Sequence, residues 1–207
     1  MSFSLPRLYA IIDPSRAAER SPFDVAEILL SAGVRLIQIR HKLASSRELF
    51  ELSREIAARV RSAGGVCIVN DRADVARVVG ADGVHVGQAD LPVELARHVV
   101  GPGKWVGTST HGIAQVRKAD RSSANYVAFG PIFPTETKEN PDPVVGLKGL
   151  REARRATSKP LVAIGGITLE NAGVVIEAGA DCVAVIRDLL AAPDAGVRVK
   201  EFLQVLK

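Results

Sequence analysis

The chain has 207 residues, 47% hydrophobic and 24% charged, a balance that supplies one substantial core over 1–207 with no linker-like stretch to divide it. The net charge of +4 is carried by arginines scattered through helical stretches such as SREIAARVR. These read as solvated helix faces, which argues against a nucleic-acid partner while leaving a small anionic ligand compatible. No apolar run is long enough to span a bilayer, and MSFSLPRLYAIID lacks the charged and apolar regions of a signal peptide, so the expectation is a cytoplasmic protein without a membrane partner. Cys67 and Cys182 both fall inside apolar runs and read as reduced core thiols.

Eight short apolar runs follow one another along the chain. They are RLYAIID (7–13), RLIQIR (35–40), GVCIVND (65–71), GVHVG (83–87), WVGTST (105–110), YVAFGPI (126–132), PLVAIGG (160–166) and CVAVIRD (182–188). Val, Ile and Leu dominate most of them, as in strands covered on both faces. Amphipathic segments separate them. In 45–64, Leu49, Leu52, Ile56 and Val60 share a helical face, and TLENAGVVIEAG opens on a Thr cap with Asn171 three residues on. Eight strand–helix alternations predict an α/β protein built as one (β/α)8 TIM barrel. A doubly wound open sheet is the competing architecture, but neither G-x-G-x-x-G nor the phosphate-loop motif occurs.

In such a barrel the chemistry collects at the C-terminal ends of the strands. In QIRHK, alternation sets Gln38, Arg40 and Lys42 on one side and Ile37, Ile39 and His41 on the other. With the isoleucines under the helices, two cations and an amide point into the barrel mouth, where they await either an anion or neighbouring carboxylates. Asn70, Asp71 and Asp90 converge on the same rim. As hard oxygen ligands the two carboxylates suit Mg2+ completed by phosphate and water, and as residues preceding helices they equally suit capping. Ser109 lacks the second glycine of a nucleophile elbow and reads as a hydroxyl donor. His85 reads as a satisfied core or helix-facing residue, and His111 has no assigned role. Gly165 and Gly166 allow backbone N–H groups to approach an anion, or simply ease a tight turn. Arg187 offers a third cation. The loop GPIFPTETKENPDP carries Thr135, Thr137 and Lys138 beyond two prolines, a pattern that suits either a solubilising surface connection or an anion clamp and lid.

The motifs QIRHK, NDRADVA, ADGVHVGQAD, GTSTH, GPIFPTETK, VAIGGIT and GADCVAVI occur in this order across nearly the whole chain, which thereby resembles the thiamine-phosphate synthase family. The resemblance implies a small (β/α)8 barrel joining a hydroxymethylpyrimidine diphosphate to a thiazole phosphate, with Mg2+ and release of pyrophosphate. It implies that Gln38, Ile39, Arg40, His41 and Lys42, together with Asn70, bind the pyrimidine diphosphate, and that Asp71 and Asp90 hold the metal. Ser109 and Lys138 match further pyrimidine contacts, and Arg40, Lys42 and Lys138 the charges that assist the leaving group. Thr135, Glu136, Thr137, Gly166, Ile186 and Arg187 match the thiazole-phosphate site. Arg187 stands where the family has Ser, and QAD replaces the usual QED with the metal ligand kept.

The implied reaction is dissociative: the C–O bond to pyrophosphate breaks first, and the thiazole nitrogen attacks the resulting cation. That nitrogen has no proton to lose, so no general base is required. A thiazole tautomerase-like isomerase and a non-catalytic phosphate-binding barrel are the rival readings. The first is not expected to combine the Gln38–Lys42 stripe, the Asp71/Asp90 pair and the Thr135–Lys138 segment, and only Arg187 speaks for the second. Self-association is common among small barrels and stays open.

Overall fold

The computed structural model describes residues 5–16, 20–135 and 142–207. Its strands are β1 (Leu8–Ile12), β2 (Leu36–Ile39), β3 (Val66–Asn70), β4 (Gly83–Val86), β5 (Trp105–Thr110), β6 (Tyr126–Phe129), β7 (Leu161–Ile164) and β8 (Cys182–Val185). They pair in parallel in chain order, and β8 closes onto β1 through Leu8↔Val183, Tyr9↔Ala184 and Ala10↔Val185. Each lies within one of the eight apolar runs. The helices are α1 (Pro22–Ser31), α2 (Ser46–Ser62), α3 (Ala73–Val78), α4 (Val93–Val100), α5 (Ile113–Asp120), α6 (Gly146–Ala156), α7 (Leu169–Glu177), the short α8 (Arg187–Leu190) and α9 (Ala195–Val205). The closed sheet with helices between successive strands is a (β/α)8 TIM barrel. Among the described residues, no helix is long and apolar enough to cross a membrane.

Local chemistry accounts for the helices that flank the rim. Ser45 and Glu48 form a reciprocal capping box on α2, whose Leu49, Leu52, Ile56 and Val60 are buried against the sheet. At the start of α7, Asn171 Oδ1 accepts from the Thr168 N–H (2.9 Å) and its Nδ2 donates to the Gly166 carbonyl (2.9 Å). The cap therefore also fixes the glycine loop before it.

Two apolar layers separate cleanly. The larger lies between sheet and helices and includes Ile37, Ile39, Val69, Val84, Val106 and Val127. The smaller fills the barrel and comprises Tyr9, Ile11, Leu36, Ile68, Tyr126, Ala128, Val162, Cys182 and Ala184. Both cysteines are buried and free, and burial pushes the Cys67 thiol up to about 12. Two strands stop three residues short of the end of their apolar runs. β6 stops at Phe129, and the chain beyond it bonds irregularly, Ile132 N to Ile164 O (2.9 Å) and Phe133 N to Gly165 O (3.0 Å). β8 stops at Val185, so Ile186 caps α8.

Tyr126 sits in the barrel because Gly107, opposite it on β5, has no side chain. A Cβ at Gly107 would lie 2.0 Å from Tyr126 Cζ. Gly107→Ala is therefore expected to cost about 1–3 kcal/mol through overpacking. Tyr126→Leu, which removes the distal ring, should make the same alanine nearly neutral, a coupling that a double-mutant cycle by urea unfolding reads directly. Additive costs would contradict this account of the packing.

Candidate functional site

The polar residues of the C-terminal rim begin with a pair that joins the ends of β1 and β2. Arg40 Nη1 and Asp13 Oδ2 form an ion pair, with side-chain exposures of 19% and 2%. Asp13 also accepts from Ser15 N (3.1 Å) and Ser15 Oγ (2.6 Å), so its carboxylate is held from two directions. Next along the rim, Lys42 Nζ lies 3.1 Å from Asp71 Oδ2, and Lys42 is 52% exposed. The carboxylate partners anticipated for these two cations are thus present on the neighbouring strands.

Asp71 follows β3 at φ +60°, in the left-handed region, and it is the one described non-glycine residue there. The Arg72 N–H bonds the Asn70 carbonyl (2.7 Å) across it, closing a γ-turn, while its own N–H is held by the His85 carbonyl (2.7 Å). Such a turn is strained, and strain of this kind collects where a side chain must be aimed. Here it presses the Asp71 carboxyl against Asp90. Burial and then the adjacent Asp90 raise the Asp71 pKa, and Lys42 opposes them. Asp90 Oδ2 in turn accepts from Gly87 N (2.7 Å).

The capping alternative for these two acids does not hold. α3 starts from Arg72 and α4 from Pro92, in neither case with a side-chain cap. Two carboxylates crowded at an opening, with Asn70 at the adjacent strand end, form a hard-oxygen donor set that suits Mg2+. Among the described residues no third His, Cys, Asp or Glu joins them, so most ligands would come from substrate oxygens and water.

Below the rim, a file of hydrogen bonds crosses the barrel. Gln38 Nε2 donates to the Tyr9 hydroxyl (2.7 Å), which lies 3.0 Å from that of Tyr126. The Tyr126 hydroxyl is 3.0 Å from His85 Nδ1, and His85 Nε2 is 2.8 Å from Ser109 Oγ. The Ser109 carbonyl accepts from Gln88 Nε2 (2.6 Å). Burial raises the pKa of both tyrosines and lowers that of His85 to about 4. His85 is thus a satisfied core histidine, as one reading of the sequence held, but it faces the barrel and not the helices. Gln38 shares the barrel interior with Leu36, whereas the Ile39 side chain packs toward the helices, as the alternation predicted. Ile39 can accordingly meet a rim ligand only through its backbone.

On the far side of the rim, Gly165 and Gly166 both have positive φ, +96° and +64°. A Cβ on Gly166 would come within 2.6 Å of the Pro134 carbonyl and 2.7 Å of Phe133 Cβ. Close approach of the loop after β6 thus requires glycine there on packing grounds alone. Thr135 ends the described part of that loop, and Glu136, Thr137 and Lys138 lie outside the described residues. His111 joins the two flanks of the segment. Its Nδ1 donates to the Gly130 carbonyl (2.6 Å), and its Nε2 lies 3.5 Å from Asp142 Oδ2. Ile186 packs against both apolar layers, and Arg187 opens α8. Sequence reasoning missed Asp13, the tyrosine pair and the bridging by His111. Of these only Asp13, at the end of an apolar run before Pro14, carried a signal.

A small closed barrel whose rim combines two cations, two crowded carboxylates, an amide and a hydroxyl is the architecture of a phosphate-handling barrel enzyme. The thiamine monophosphate synthase family model matches residues 8–189. The chain is 52% identical to the thiamine-phosphate synthase of Koribacter versatilis, over 98% of this chain and 96% of that protein. It is 44% identical to the thiamine-phosphate synthase of Chloroflexus aurantiacus, over 94% and 90%. Its fold superposes on the solved thiamine phosphate pyrophosphorylase of Pyrococcus furiosus with a TM-score of 0.88 and 33% identity, covering 97% and 95% of the two chains. The chain belongs to the thiamine-phosphate synthase family.

The two rim cations differ in structural weight. Arg40→Leu strands a buried carboxylate and is expected to cost about 2–4 kcal/mol at neutral pH, moderated by the two Ser15 bonds. Lys42→Ala breaks an exposed pair and should cost less than about 1 kcal/mol. Equal losses in chemical denaturation would contradict this ranking. Asp71 generates a pH-dependent expectation. Because its folded pKa is raised, its contribution to stability falls as pH rises from the ordinary carboxylate range through the raised value. Metal-free Asp71→Asn should therefore gain thermal stability over the parent as pH increases across that window.

Proposed function

We propose that the protein couples a hydroxymethylpyrimidine diphosphate to a thiazole phosphate, giving thiamine phosphate and pyrophosphate. Family membership over nearly the whole chain supports the reaction. The single observation that best supports the site is the meeting of Arg40, Lys42, Asp71 and Asp90 at one barrel mouth beside Ser109.

In this reading the diphosphate lies over the Gln38–Lys42 segment and Asn70, and the pyrimidine ring reaches down toward Ser109. Arg40, already oriented by Asp13, meets the diphosphate without losing as much side-chain freedom as a solvated arginine would. Lys42 exchanges Asp71 for phosphate oxygens, and Lys138, by the family resemblance, would add a third positive charge to the same group. When the pyrimidine C–O bond breaks, its electron pair leaves with pyrophosphate, and these three cations stabilise the growing charge. The methylene cation left behind is delocalised into the aminopyrimidine. The thiazole nitrogen donates its lone pair to that carbon, forming the C–N bond with no proton to remove.

Asp71 and Asp90 would hold Mg2+, which when bound neutralises phosphate charge. The strained turn at Asp71 and its crowding against Asp90 favour that assignment, since a cation relieves the repulsion. Thr135, Glu136, Thr137, Gly166, Ile186 and Arg187 would bind the thiazole phosphate. Arg187, in place of the family's Ser, adds a positive charge near that phosphate while a backbone N–H can still serve.

Pyrophosphate should appear only when both substrates and Mg2+ are mixed, an outcome expected neither of an isomerase nor of a binding protein. Lys138→Ala should lower turnover by at least about tenfold, of the order expected for one lost transition-state charge contact, with little change in thermal stability. An unchanged rate would count against its role. Mg2+ alone should raise the thermal midpoint of the parent and leave that of Asp71→Asn unmoved, a readout independent of activity.

A further inference from the structure

The file of hydrogen bonds through the barrel has a direction, and its direction decides what Ser109 can recognise. The Gln38 amide nitrogen can only donate, so the Tyr9 hydroxyl accepts from it (2.7 Å) and must send its single proton elsewhere. Among the described residues, the other group at hydrogen-bond distance from that hydroxyl is Tyr126 (3.0 Å). Tyr126, accepting from Tyr9, sends its own proton to His85 Nδ1 (3.0 Å). A neutral imidazole that accepts at Nδ1 carries its proton on Nε2, which then donates to Ser109 Oγ (2.8 Å). Both ring nitrogens meet hydroxyls and neither meets a carboxylate, so nothing in contact with the ring favours a second proton. At its far end, Ser109 Oγ accepts from His85, and its own hydroxyl proton has no acceptor among the described residues.

We propose that Tyr9 and Tyr126 are positioning residues that polarise this file, holding His85 as the Nε2–H tautomer and Ser109 as a donor aimed at an in-plane lone pair of a substrate ring nitrogen. Steric evidence that the pair is built in comes from Gly107, whose missing side chain makes the room that Tyr126 occupies. The rings of Tyr9 and Tyr126 meet edge to face, 6.1 Å between centroids, and Tyr126 stacks on His85 at 5.6 Å. Each hydroxyl is thereby held in line with the next. The substrate half of the proposal rests on Ser109 contacting the pyrimidine.

Nitrogen-15 spectra of histidine-labelled full-length protein decide the polarity. His85 is identified among the four histidines by its loss in His85→Gln. The expected ring is protonated at Nε2 and bare at Nδ1. An Nδ1–H ring means the file runs in reverse, with Ser109 donating to His85 and free to accept from an amino group, and it overturns the proposal. Tyr126→Phe should mix the two tautomers and raise the KM for the pyrimidine diphosphate by about three- to tenfold, leaving the KM for the thiazole phosphate unchanged. A merely structural role would leave the tautomer intact or disturb both substrates alike. Should that variant not fold, the parent spectrum still decides the polarity.

Pyrimidine diphosphate analogues with C–H in place of each ring nitrogen in turn test the recognition. One of them should bind about three- to tenfold more weakly than the natural substrate to the parent, with no such difference in Ser109→Ala. If neither analogue discriminates while His85 is Nε2–H, the polarity stands and the assignment of Ser109 to the pyrimidine is overturned.

Discussion

Closure of β8 onto β1 brings into one ring groups that the sequence holds far apart, and the remaining features depend on that contact. With eight parallel strands in a closed ring, every second side chain points inward into a space only wide enough to be filled. Most of that space takes Ile, Leu, Val and Ala, but Tyr9, Gln38, His85 and Tyr126 are enclosed as well. A polar group enclosed without a partner costs about 1–3 kcal/mol, so these residues are tolerable only as a connected set. With Ser109, to which His85 bonds, the set spans β1, β2, β4, β5 and β6, and it exists only when the ring is complete.

The same closure gathers charge at the rim. Each strand ends where the next loop begins, so Asp13, Arg40, Lys42, Asp71 and Asp90 arrive as neighbours although they are dispersed in the chain. Opposite charges there are paired, and the like pair Asp71–Asp90 is held together by a strained turn. Fold stability alone gives no reason to press two carboxylates together, whereas a bound cation does. The loop after β6 meets this rim from the other side, anchored by the glycines of β7–α7 and by His111.

Much of this was legible in the sequence because it follows from short-range rules. Eight apolar runs with turn residues between them dictate eight strands, and the alternation in QIRHK places Gln38 inward and Ile39 outward. The Ser45 and Thr168 caps follow from local spacing. Motifs in fixed order pointed to the family because each lies at a strand end, where one barrel face collects them. The capping reading of Asp71 and Asp90 was equally consistent with the sequence. It failed because Asp71 sits in a left-handed turn that leaves the cap position to Arg72, and Asp90 bonds back to Gly87 while Pro92 takes the cap position.

Other features were illegible for a single reason. Whether Arg40 pairs with Asp13, whether His85 meets a hydroxyl at each ring nitrogen, and whether two tyrosines 117 residues apart meet are all questions of which strands become neighbours. Sequence by itself determined the strand and helix content, the barrel class and the list of polar residues at strand ends, since these depend on periodicity and local turn chemistry. Tertiary structure alone decided the pairing of the rim charges, the left-handed turn at Asp71 and the file from Gln38 to Ser109. Hydrogen bonds and ion pairs act over about 3 Å, and only the closed barrel brings these groups that close.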